Sequence, residues 1–194
     1  MNRAAGTGRG RERGKDITGP GPRGSLGARR AAPPPTRCVL SYRPVTGDPA
    51  VYFEDIQVGE AYASPGRTVT EADVVLFAGL SGDYNVLHTD AEYMKASLFG
   101  ERIAHGLLGL SIQQGLLDRV VTTQVTGPLA AVKWKFKGPI KIGDTIHVEA
   151  QVTGKHDGEQ PGWGVVTVAR RVLNQRGEVV QEGETDHLVG RRPG

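Results

Sequence analysis

The chain has 194 residues, 38% of them hydrophobic and 23% charged, with a formal net charge of +3. That is long enough for one domain with a sizeable core. No apolar run reaches the roughly 18 residues of a bilayer span, and the single cysteine, Cys38, has no partner for a disulfide within the chain. A helical membrane protein and a disulfide scaffold are thereby excluded, and a reducing, cytoplasmic setting is expected.

Residues 1–48 differ from the rest. They hold Arg9-Gly10-Arg11, Gly19-Pro20-Gly21-Pro22 and Pro33-Pro34-Pro35, with few large apolar side chains. Such a segment buries too little surface to offset its ordering entropy, so a disordered basic tail is expected. It carries 10 Lys+Arg against 3 Asp+Glu, a net of +7, whereas residues 49–194 carry 14 against 18, a net of −4. The basic pI is thus a property of the tail. Arg-rich ends serve nucleic-acid contacts or organelle targeting. Glycine and proline spoil an amphipathic transit helix, so a solvated extension is the preferred reading.

In chain order, residues 52–60 read as a lead-in and turn, and Tyr62 to Val69 as a first strand. Thr70 is placed to cap a helix whose first turn is acidic (Glu71, Asp73) and which Gly79 and Gly82 end. A loop holds Asp83 to His88. Asp90 caps a second short helix over Ala91 to Ser97, and Phe99 to Arg102 turns the chain. A long helix follows from about His105 to Val121, roughly 25 Å in length. Leu107, Leu108, Leu110, Ile112, Leu116, Leu117, Val120 and Val121 cover nearly all its faces, which predicts a buried helix.

Beyond it, Val132, Trp134 and Phe136 alternate with Lys133, Lys135 and Lys137, and Ile146, Val148, Ala150 and Val152 alternate in turn. This is the period of half-buried strands, and Trp134 and Phe136 are expected in the core. Residues 154–162 read as a polar hairpin loop. Trp163 to Leu173 and Glu178 to Val189 form a further pair joined at Asn174-Gln175-Arg176-Gly177. The economical fold is α+β: a single domain over residues 49–194 in which a curved antiparallel sheet wraps a long central helix.

Three residues carry the candidate chemistry. Asp83 and His88 lie five residues apart, and Gly106 stands at a helix start eighteen residues beyond His88. A carboxylate can deprotonate water, and an imidazole can accept or deliver the second proton. Backbone N–H groups at a helix start can hold an oxyanion. Taken singly, each residue has a plainer reading: a turn residue, a bonded loop histidine, a packing glycine. His105 is read as support for the helix start. No metal-ligand spacing such as CxxC or HExxH occurs, and no phosphate loop. No metal or separate cofactor is expected.

The stretch SGDYNVLHTDAEYMKASLFGERIAHGLLGL (81–110), with YFEDIQVGE before it and KGPIKIGDTI after the long helix, resembles MaoC-like dehydratases and R-specific enoyl-CoA hydratases. The resemblance spans about residues 52–189. It implies a hot-dog fold, a homodimer or larger homo-oligomer, and an acyl-CoA substrate; apart from the resemblance, no membrane or nucleic-acid partner is expected. It further implies that Asp83 and His88 are the catalytic pair, that Gly106 supplies the oxyanion N–H, and that Asn85 braces the loop. Family members commonly carry proline after that asparagine; this chain has Val86. The implied reaction is reversible hydration of a trans-2-enoyl thioester to the R-3-hydroxyacyl product. A thioesterase on the same scaffold and a non-catalytic acyl-CoA-binding module are the alternatives. Lys133, Lys135 and Lys137 are candidates for the phosphates of coenzyme A, on their alternation alone.

Overall fold

The computed structural model describes residues 51–122 and 128–193. The expectations for the tail and for Cys38 fall outside these. A 3-10 turn at Phe53–Asp55 leads into two short strands, β1 (Ala61–Ala63) and β2 (Arg67–Thr68). The single strand expected over 62–69 is therefore split, both pieces pairing with the same long partner.

Helix α1 (Glu71–Ser81) begins as the sequence predicts: the Thr70 hydroxyl accepts from the Asp73 backbone N–H, and the Asp73 side chain accepts from the Thr70 N–H in return. Gly79 lies inside the helix, and Gly82 ends it at φ +75°, a left-handed conformation that glycine adopts without penalty. Two short helices follow, α2 (Val86–Thr89) and α3 (Ala91–Lys95), capped by Asn85 and Asp90. The expected loop at 83–88 thus contains a helical turn of its own. It leads to the long helix α4 (Gly106–Leu117), continued by a π-helical turn at Asp118–Thr122.

Four strands complete the chain: β3 (Leu129–Phe136), β4 (Thr145–Asp157), β5 (Trp163–Leu173) and β6 (Val179–Gly190). Every pairing is antiparallel, in the order β1-β4-β5-β6-β3, with β2 also on β4. The hairpin loop between β4 and β5 is shorter than expected, because both strands run on until Asp157 and Gly164 face each other.

One face of the sheet packs on α4. Ile146, Val148 and Ala150 of β4, Val172 of β5 and Val180 of β6 meet Leu108, Ile112, Leu116 and Leu117 in one buried cluster. Each valine, leucine or isoleucine among them contributes about 1.5–3 kcal/mol when fully buried. The helix is not wrapped on all sides: Leu107 is 59% exposed, and Ser111 and Gly115 on the same stripe are exposed too. The core expectation for β3 needs a second correction. Trp134 is half-buried, but Val132 and Phe136 are 43% and 55% exposed. The reason is position: among the described residues β3 is the last strand of the sheet.

Candidate active site

The site is assembled from α1's end upward. Gly82 reverses the chain, and the Asp83 N–H then donates to the Ser81 hydroxyl at 3.2 Å. The Asp83 carboxylate accepts from the Asn85 N–H at 3.2 Å, and the Asn85 side chain accepts from the Leu87 N–H at 3.0 Å. These two nested turns fix where α2 starts. Asn85 thereby caps α2 from within the loop. Val86 occupies the first helical position, where proline is favoured because that N–H has no intrahelical partner, so valine there removes no bond.

His88 rides on α2 and is 8% exposed. Its Nδ1 lies 2.8 Å from the Ile103 carbonyl oxygen. A carbonyl only accepts, so Nδ1 carries the proton and Nε2 of the neutral ring presents a lone pair. That Nε2 stands 4.0 Å from Oδ2 of Asp83, whose side chain is 52% exposed. The gap is too long for a direct hydrogen bond, yet it suits one water bonded to both groups at about 2.8 Å each.

His105 completes the arrangement, and sequence reasoning understated it. It is 2% exposed, its ring stacks on His88 at 3.7 Å between centroids, and its Nε2 donates to the Asp83 carbonyl at 2.9 Å. Phe77 packs against the same ring, tilted, at 5.1 Å between centroids. Because His105 immediately precedes α4, the stack holds the start of that helix beside His88. Asp83, His88 and Gly106 are therefore brought together.

The start of α4 is chemically distinct from that of α1. It has no side-chain cap and no acidic residue in its first turn, whereas α1 has both. As the first helical residue, Gly106 has no intrahelical acceptor for its N–H. The positive end of the dipole is left for an anion from outside. The missing side chain also has a packing reason: a Cβ on Gly106 would lie 2.9 Å from the Phe136 ring.

Asp83, His88 and His105 each offer an atom within 4.8 Å of the others, the spacing of a possible cation site. Both rings, however, already use one nitrogen on a carbonyl, and they stack nearly parallel at 30°. A water shared by Asp83 and His88 uses the carboxylate and the free His88 nitrogen without requiring the two stacked rings to share a ligand.

Lys133, Lys135 and Lys137 do not join this cluster. Strand alternation sets them on the face of β3 opposite Trp134 and Phe136, and Lys137 pairs with Glu182 at 3.2 Å. A second buried polar cluster escaped sequence reading altogether. Arg170, 2% exposed, donates to the side-chain oxygens of Gln113 and Gln114 at 3.2 and 2.6 Å, and also to Nε2 of His187. Burial pushes Arg170 down to about 10, with Asp118 opposing the shift. Burial, then the neighbouring guanidinium, pushes His187 down to about 4.

Residues 55–172 match the model of the MaoC like domain. The chain is 40% identical over 144 residues to an (R)-specific enoyl-CoA hydratase of Rhodospirillum rubrum, covering 73% of this chain and 93% of that protein. Its fold superposes on the crystal structure of a MaoC-like dehydratase from Rhodospirillum rubrum with a TM-score of 0.67 and 32% identity, over 75% of this chain and all of that one. A Mycobacterium tuberculosis protein described as a double hot-dog fold matches with a TM-score of 0.66, over 75% of this chain and 46% of that one. At 19% identity it bears on the fold alone.

Proposed function

Because the chain belongs to the MaoC-like dehydratase family, we propose that it reversibly hydrates the double bond of a trans-2-enoyl thioester, with coenzyme A as the thiol. The observation that carries this is the 4.0 Å separation of Asp83 Oδ2 and His88 Nε2 beside the uncapped start of α4. A water between them gives up a proton to the pair while its oxygen bonds to the β-carbon. The double-bond electrons move toward the carbonyl, and the Gly106 N–H receives the enolate oxygen. The pair then returns a proton to the α-carbon. In this scheme Asp83 deprotonates and orients the water, while His88 holds it and manages the returning proton. Hydrogen-bond donors fixed in advance at developing charge are a large source of rate enhancement.

The R configuration and the coenzyme A ester are carried over from the similar hydratase. We further propose that the chain works as a homodimer. The side of β3 away from β6, unpaired among the described residues, and the exposed Val132 and Phe136 support this, since a free strand edge invites pairing with a second copy.

The test uses the full chain and crotonyl-CoA. Hydration removes the enoyl absorbance and releases no thiol. Thiol release with the enoyl band retained would replace the hydratase with a thioesterase, and binding without turnover would leave a binding module.

A further inference from the structure

Gln181 occupies a place in β6 where packing alone calls for an apolar side chain. It is 1% exposed and pairs with Phe136 on one side and Val172 on the other. Its Oε1 accepts from the Trp134 indole N–H at 3.0 Å, and its Nε2 donates to the Gly106 carbonyl at 3.0 Å. The amide orientation is chemically determined, because an indole N–H only donates and a carbonyl only accepts. Gly109 makes the approach possible: a Cβ there would lie 2.4 Å from Nε2 of Gln181. Burying a carboxamide in this way costs free energy unless both ends are bonded, and both are.

The residue at the other end of that contact is the proposed oxyanion donor. Glycine has the widest backbone freedom of any residue, so a glycine N–H is a poorly held donor unless something fixes it. Helix starts also lack the full complement of intrahelical bonds. Gln181 grips Gly106 on its carbonyl side, and the Phe136 ring lies against its Cα. We propose that Gln181 is a positioning residue that, with Trp134 orienting it, holds the Gly106 N–H in the direction the thioester oxygen requires. This inference rests on the hydratase reading of the site.

Two substitutions of similar size test it. Gln181→Met removes both bonds. Gln181→Glu, when ionised, sets a carboxylate against the Gly106 carbonyl, and when protonated it can donate to that carbonyl and accept from Trp134 again. Crotonyl-CoA hydration is measured as kcat and KM across pH, with thermal unfolding alongside. For Gln181→Met, kcat falls about tenfold with KM nearly unchanged, short of the ~100-fold expected for losing the donor outright. For Gln181→Glu, the kcat ratio to wild type climbs as pH falls. A merely structural residue lowers the unfolding temperature without moving either readout. Should the methionine variant fail to fold, the pH dependence of the glutamate variant decides. Should both fail, Trp134→Phe, which frees only the Oε1 end, must lower kcat. Wild-type kcat in a folded Gln181→Met, a pH-independent ratio for Gln181→Glu, or wild-type kcat in Trp134→Phe would overturn the assignment. Absence of hydration by the wild-type chain would instead overturn the hydratase reading beneath it.

Discussion

Asp83→Asn isolates the chemistry from the fold. Asparagine keeps an oxygen to accept the Asn85 N–H, so the turn that starts α2 persists. The side chain is 52% exposed, so the change buries no unpaired amide. Stability should stay within about 0.5 kcal/mol of wild type, as for ordinary surface substitutions. What asparagine cannot do is take a proton from the water that the 4.0 Å gap to His88 accommodates. Losing one positioned base removes about 10²- to 10⁴-fold in rate, or about 3–5.5 kcal/mol of barrier. His88→Ala is a poorer probe, because it also deletes the bond to Ile103 and the stack on His105. The assay is loss of enoyl absorbance at saturating crotonyl-CoA, with thermal unfolding in parallel. A folded Asp83→Asn variant retaining kcat within tenfold of wild type would refute the role given to this carboxylate.

His187 gives stability a dependence on pH. Its folded value of about 4 lies below its ordinary 6.5, so the unfolded chain takes up the proton first. The contribution is complete above pH 6.5 and is lost as pH falls toward 4, by up to about 3 kcal/mol. Urea denaturation of wild type and His187→Gln across that window checks this; parallel curves for the two would contradict it. Gly183→Ala tests the sheet: its Cβ would lie 2.2 Å from the Lys133 carbonyl oxygen, which is backbone and has nowhere to go. A loss of about 1–3 kcal/mol is expected, and unchanged stability would show that β3 is less firmly seated than its pairing suggests.

Much of this was legible along the chain because the signals are local. The Thr70 cap, the Gly82 stop, the Asp90 cap and the alternation of β4 each involve groups within a few residues, where backbone geometry alone decides contact. The order of Asp83, His88 and Gly106 was likewise visible, together with the family whose pattern it follows. Other features belong to the tertiary structure. The His88 tautomer is set by a carbonyl 15 residues away, the His105 bond to Asp83 spans 22, and the Gln181 bond to Gly106 spans 75. Whether Phe136 is covered depends on where the sheet ends, and the pairing of Arg170 with His187 on how β5 registers with β6. Periodicity says which face of an element is apolar; only packing the sheet on α4 determines which buried polar group finds which partner, because each must be bonded once water is excluded.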